Sequence, residues 1–147
     1  MEEIILRNEN SLLRFAVTLM GSVTEAQDIV QDVFLKLVEK RPVFSTPEHE
    51  TAWLITVTKN LCISRLRSPW YKNSCELLES HPAEDSDQHE LVELVQSLPA
   101  KYKIVIHLYY FEGYSTKEIA KITKQKESTV RQQMTRAREL LKKYLEE

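Results

Sequence analysis

At 147 residues, with two Gly and five Pro, the chain has length for one ordinary domain or two small helical ones and little material for hairpin turns. Its Leu, Lys, Glu and Ala content favours helix, so the composition predicts an all-α fold. No apolar run reaches membrane-spanning length, and the N-terminal stretch lacks the basic start and apolar core of a secretory signal, so a cytoplasmic protein with no membrane insertion is expected. Cys62 and Cys75 form neither a metal spacing nor a disulfide framework; they read as a small apolar filler and a spacer thiol. No cofactor is called for.

The net charge of -2 conceals an asymmetry. Acidic side chains dominate residues 69–98, and basic ones dominate from 99 onward. A positive end segment on an otherwise acidic chain is what a phosphate-binding module tethered to something else would carry.

In chain order, residues 10–20 place Leu12, Leu13, Ala16, Leu19 and Met20 on one helical face, with Gly21 closing the helix. Thr24 and Gln27 are spaced as a capping box, opening a second helix that carries Ile29, Val30, Val33, Phe34, Leu37 and Val38 before Pro42 stops it. On its far side fall Asp28, Gln31 and Leu35, with Asp32 beside them. An apolar Leu35 among polar neighbours suggests a docking surface, set against the plain reading of one exposed Leu. After a loop, Thr46 caps and Pro47 opens a helix running to about Arg67. Trp53, Leu54, Val57, Leu61 and Leu66 make its apolar side. The remaining strip holds Thr56, Lys59, Asn60, Ile63 and Arg67, which can lie on a nucleic-acid backbone or simply face solvent.

Periodicity then fails, and acidic and turn residues collect over 69–88, which reads as a spacer with Leu77 and Leu78 able to dock. The expected division is therefore a helical domain over 1–68, a linker over 69–88 and a second domain over 89–147. Helical pattern resumes at Leu91, Val92, Leu94, Val95 and Leu98. Ser97 and Pro99 cap and open a further helix that ends at Gly113 and buries Ile104, Val105, Leu108 and Phe111, with His107 at the core edge or surface. Ser115 and Glu118 form a capping box for a short helix burying Ile119, Ala120 and Ile122. Lys124–Lys126 makes a turn, and Ser128 is placed to cap a long basic helix.

That last helix carries one stripe through Val130, Met134, Ala137, Leu141 and Tyr144. Packing the stripe inward turns Ser128, Arg131, Gln132, Thr135 and Arg136 outward near the start of the helix. The pair is patterned as a helix-turn-helix, and Arg and Gln can make bidentate contacts to guanine and adenine edges. The competing reading is a solvated amphipathic helix.

In this order the segments resemble a bacterial sigma factor of the small, two-domain extracytoplasmic-function type. The run LPAKYKIVIHLYYFEGYSTKEIAKITKQKESTVRQQMTRARELL is similar to that family's fourth conserved region, with its signatures at Thr129–Arg131 and Arg136–Arg138. The runs AQDIVQDVFLKL and AWLITVTKNLCISRLR are similar to its second region. The resemblance implies core RNA polymerase and promoter DNA as partners, with an anti-sigma factor as a further partner class. It implies polymerase docking through Asp28, Gln31, Asp32 and Leu35. The loop from Phe44 to Thr51 and the strip at Lys59, Asn60, Ile63 and Arg67 would engage the separated minus-ten strand. Arg131, Gln132, Thr135 and Arg136, with Ser128 and Thr129 at the helix start, would read the minus-thirty-five element, and no bond in DNA would be made or broken. This chain departs from the pattern at Gln27, Ser64, Lys124 and Gln133, where an acid, Asp, Gly and Arg are common. A non-initiating sigma-like regulator and, more remotely, an enzyme such as a recombinase with a helix-turn-helix tail are the competing functions.

Overall fold

The computed structural model describes residues 2–68 and 93–146, and every regular element among them is helical. The expected spacer over 69–88, with Leu77, Leu78 and Cys75, lies outside the described residues, as do Leu91 and Val92.

Helix α1 spans Glu2–Met20 and is longer than the 10–20 segment its apolar spacing predicts, because Glu2 and Glu3 favour the positive end of a helix dipole. Gly21 closes it at φ +73, with its N–H on the Val17 carbonyl at 2.8 Å. Helix α2 spans Val23–Lys40. Its cap is Ser22, whose Oγ accepts from the Glu25 N–H at 3.3 Å, so the Thr24–Gln27 capping box does not form. Ser22 competes successfully because it stands directly after Gly21, in extended backbone at φ -145, whereas Thr24 is already helical. Val38, expected on the buried stripe, is 46% exposed in the last turn of the helix, just before the left-handed Arg41 that caps it.

Helix α3 spans Pro47–Arg67, with the Thr46 hydroxyl accepting from the His49 N–H at 3.0 Å and Pro47 in the first turn, as the sequence predicts. Phe44 stacks edge-on against His49 and Trp53 at centroid distances of 5.3 and 5.9 Å, which anchors the loop entering α3. Arg7 and Asn8 of α1 donate to the buried Glu50 carboxylate at 2.8 and 3.1 Å, fixing α3 against α1.

After a helical stretch over 93–97, α4 (Ala100–Ile106) starts at Pro99 without a side-chain cap. The Ser97 hydroxyl donates instead to the Leu94 carbonyl at 2.6 Å. From His107 to Phe111 the helix widens into a π turn, closed by the Glu112 N–H on the His107 carbonyl at 3.1 Å. Phe111, expected in the core, is 47% exposed, and His107, expected at the edge, is 1% exposed. The extra residue of the π turn rotates Phe111 off the α-helical register; His107, at the start of the turn, is covered by Phe15 at a centroid distance of 5.4 Å and by Thr18, whose hydroxyl lies 2.7 Å from its Nδ1.

Helix α5 (Thr116–Thr123) has the expected capping box, with both Ser115–Glu118 bonds made, at 3.0 and 3.1 Å. Lys124 then adopts φ 56, a left-handed conformation that disfavours a side chain. Helix α6 spans Glu127–Glu146, so Ser128 lies inside its first turn and does not cap it. Val130, Met134 and Ala137 are fully buried and Leu141 is packed against the core, but Tyr144 is 36% exposed because the core ends before the helix does.

The predicted halves do not stand apart. Leu12, Phe15, Leu19 and Leu54 belong to the same buried cluster as Leu98, Val105, Ile119 and Val130. Cys62 is fully buried in that cluster, and burial raises its thiol pKa to about 12, as an inert core filler requires.

Candidate functional site

Three surfaces carry the residues singled out by the sequence. On α6, Ser128, Arg131, Gln132, Thr135 and Arg136 are all exposed along one side, Thr129 is half-buried, and Val130, Met134 and Ala137 face the core. The stripe packed inward therefore does project this row outward, as helical geometry demands. Two contacts that the spacing analysis did not single out shape the row, the first of them an i,i+4 pair. Arg131 Nη2 donates to Glu127 Oε1 at 2.8 Å, and the same oxygen accepts from the Thr116 hydroxyl of α5 at 3.0 Å. Gln125 and Gln133 form a reciprocal amide pair at 2.9 and 3.3 Å, with Gln125 also donating to Thr123 Oγ1 at 2.9 Å. The turn is thus tied to the long helix on both sides, which compensates for the side chain at Lys124.

On α2, Asp28, Gln31 and Leu35 are exposed, Leu35 at 65%, and Asp32 is half-buried. A residue the sequence did not single out organises this face. Arg65 of α3 pairs with Glu25 at 2.8 Å, Asp28 at 2.7 Å and Asp32 at 3.6 Å. An acidic ladder spaced three and four residues apart on α2 was visible in the sequence, but nothing linear says which cation on another helix meets it.

The α3 strip is split by the tertiary structure. Asn60 and Arg67 are exposed, while Lys59 and Ile63 are half-buried. Thr56 is pinned, its hydroxyl donating to the Ile122 carbonyl of α5 at 3.3 Å. Lys59, Ile63 and Arg67 line one side of a cleft of about 590 Å³, and Lys101, Thr123 and Gln133 are among the residues of the other. The cleft lining holds three cations and no carboxylate, which suits a polyanion. The strip therefore faces the helix-turn-helix across a gap, a placement that periodicity could not reveal.

A buried polar network lies between α1 and the π turn. Glu112 Oε1 accepts from Arg14 Nε at 3.0 Å and from His107 Nε2 at 3.1 Å, and Oε2 accepts from Arg14 Nη2 at 3.2 Å and Ser11 Oγ at 3.1 Å. Because Nε2–H is given to Glu112, His107 Nδ1 is left to accept from the Thr18 hydroxyl at 2.7 Å. In an α-helix, residues five apart point about 140° away from each other; the π turn is what sets Glu112 beside His107. Burial pushes the His107 imidazole down to about 4, against the pull of Glu112. Burial alone would raise the Glu112 carboxyl, but the bond from Arg14 and the neighbouring groups outweigh it and hold the carboxyl below its usual value.

Among the described residues no helix is long and apolar enough to cross a membrane. The family model for Sigma-70 region 2 matches residues 4–70, and that for Sigma-70 region 4 matches residues 88–141. The chain is 30% identical to the ECF RNA polymerase sigma factor SigL of Mycobacterium tuberculosis, over 92% of this chain and 83% of that protein. It is 27% identical to the ECF RNA polymerase sigma factor SigW of Bacillus subtilis, over 93% of this chain and 84% of that one. Among solved structures it is similar to the sigma factor RpoE of Bartonella quintana, co-crystallised with the anti-sigma factor NepR. The TM-score is 0.78 at 27% identity, covering 99% of this chain and 96% of that one.

Proposed function

This chain belongs to the extracytoplasmic-function sigma factors, which direct RNA polymerase to promoters and are not themselves enzymes, and from that premise we propose how its surfaces divide the work. Core RNA polymerase docks on the α2 face at Asp28, Gln31, Asp32 and Leu35. The Arg65 clamp presets the acidic side chains there, so less rotamer freedom is lost on docking.

The division into a region 2 body over 1–68, a linker over 69–88 and a region 4 body over 89–147 is part of the proposal. It is supported by the spans of the two family matches. In the second body Arg131, Gln132, Thr135 and Arg136 enter the major groove of the minus-thirty-five element, and Ser128 and Thr129 bond backbone or base at the helix start. In the first, Lys59 and Arg67 take phosphates of the opened minus-ten strand, while Asn60 and Ile63 meet its bases. Unstacking a base costs a few kcal/mol, which binding along the rest of the promoter must offset. Polymerisation belongs to the partner enzyme, and the chain acts in the cytoplasm where that enzyme works. An anti-sigma factor is a further partner, a reading supported by the RpoE–NepR likeness.

The observation that carries this reading is the outer row of α6: four polar side chains able to read bases, all in solvent, opposite a fully buried stripe. Reconstituted transcription tests it. Purified chain added to core polymerase on genomic fragments is expected to give discrete start sites. A complex that binds but starts nowhere would overturn the assignment of initiation.

A further inference from the structure

The two arginines of the outward row on α6 are held differently. Arg131 Nη2 lies 2.8 Å from Oε1 of Glu127, one turn before it, and that same oxygen accepts from the Thr116 hydroxyl at 3.0 Å. Glu127 is the first residue of α6, so its carboxylate sits at the positive end of the helix dipole. Thr116 is half-buried in the first turn of α5, so the donor that aims the carboxylate belongs to a different helix. Arg136 and Gln132 are exposed on the same row, and among the described residues neither has a side-chain hydrogen bond or ion pair. The tether singles out Arg131.

Stability does not explain it. The side chains of Arg131 and Glu127 are 67% and 37% exposed, and an exposed pair four residues apart on a helix contributes little to folding. Its consequence lies in what Arg131 can bind. A guanidinium has five N–H donors, and the tether uses one on Nη2, so the second Nη2 hydrogen and Nη1 stay available for the two acceptors of a guanine edge. Base reading and the tether are compatible. A phosphate on Arg131, by contrast, is brought against the Glu127 carboxylate, and like charges set side by side disfavour that contact. Phosphate contacts carry no sequence information, so an arginine denied them contributes to discrimination more than to general affinity. Fixing the side chain beforehand also reduces the rotamer freedom lost when it meets a base.

Resting on the reading of α6 as the recognition helix, we propose that Glu127 is a specificity-determining residue, which holds Arg131 for a base edge and keeps phosphates from it. Thr116 is the positioning residue that aims Glu127.

Glu127→Gln and Thr116→Val in the full-length protein test this. Gln keeps the length of the side chain and removes its charge, while Val keeps the shape of Thr and removes the donor. With the full-length chain alone on random-sequence duplex, Glu127→Gln is expected to bind tighter, with a slope of log affinity against log salt steeper by about 0.9, because Arg131 is released to take a phosphate. With the chain assembled on core polymerase and offered a duplex library randomised across the upstream element, its preference at one base pair is expected to fall about fivefold to tenfold. Thr116→Val should weaken that same preference at an unchanged salt slope, since the charge stays and only its aim is lost. A merely structural role for Glu127 at the start of α6 would weaken binding to every duplex alike and leave the slope unaltered. That result overturns the proposal, as do a slope and a preference that both match wild type in Glu127→Gln. A wild-type chain that selects no motif would count against the recognition-helix reading instead, and the slope on random duplex still reads the tether alone.

Discussion

Arg65 on α3 holds Asp28 on α2 with Nη2 2.7 Å from Oδ2, and its guanidinium also reaches Glu25 at 2.8 Å and Asp32 at 3.6 Å. Its side chain is only 25% exposed, so the pairing is less screened than an ordinary surface bridge. One cation thus both staples two helices and sets the acidic face on which polymerase docking is proposed.

Arg65→Ala is expected to cost about 1–2 kcal/mol, seen as a fall of a few degrees in Tm for a chain of this length. Capture of core polymerase should fall with it, because Asp28 and Asp32 then lose their fixed positions. Arg65→Lys should recover only part of the stability, since an ammonium cannot fork between carboxylates. A Tm for Arg65→Ala within a degree of wild type would remove the clamp from the account.

Lys124 sits at φ 56 in the turn of the helix-turn-helix. Glycine relieves the left-handed strain of about 1–2 kcal/mol, offset in part by its greater freedom in the unfolded chain. Lys124→Gly should therefore stabilise by about 0.5–1 kcal/mol, read as a higher urea midpoint at unchanged slope. A lower midpoint would mean that the Lys124 side chain makes a compensating contact.

Gln133 forms an amide pair with Gln125 in place of the Arg common in the family. Gln133→Arg should break that pair, lowering stability by about 1 kcal/mol, and add a phosphate contact. The slope of log affinity against log salt for promoter DNA should then steepen by about 0.9. Arg131→Ala should act differently, costing about 1–3 kcal/mol mainly at one base pair and relaxing the preference there. Equal losses on every sequence would demote Arg131 from reader to phosphate contact.

The buried His107 and Glu112 make stability fall on the acid side. The folded His107 titrates near 4 against 6.5 in the unfolded chain, so between those values the unfolded state binds the extra proton and stability declines as pH drops. The gap corresponds to on the order of 3 kcal/mol, complete by about pH 4. Glu112, whose carboxyl is held low, contributes stability above its unfolded value of 4.5 that is lost as pH falls through its folded value. His107→Gln should flatten the decline between pH 6.5 and 4 in urea titrations, and a profile with unaltered slope would exclude His107 as its source.

Local chemistry alone settled the elements whose signals lie within a few residues of each other. The Ser115–Glu118 capping box, the Thr46–Pro47 helix start, the Gly21 stop and the α6 stripe with its outward row all follow from spacing, because caps and helical faces are properties of neighbours in the chain. The Thr24–Gln27 pair misled because Ser22, two residues earlier, had the extended backbone that a cap needs. Helix-to-helix placement was not available in the same way. Which cation meets Asp28, why Glu112 turns back to His107, and that Thr56 donates across to Ile122 depend on a shared core and on one widened turn. Burial in that core makes each polar group seek the nearest partner in space, and distance in space is what the order of residues leaves open.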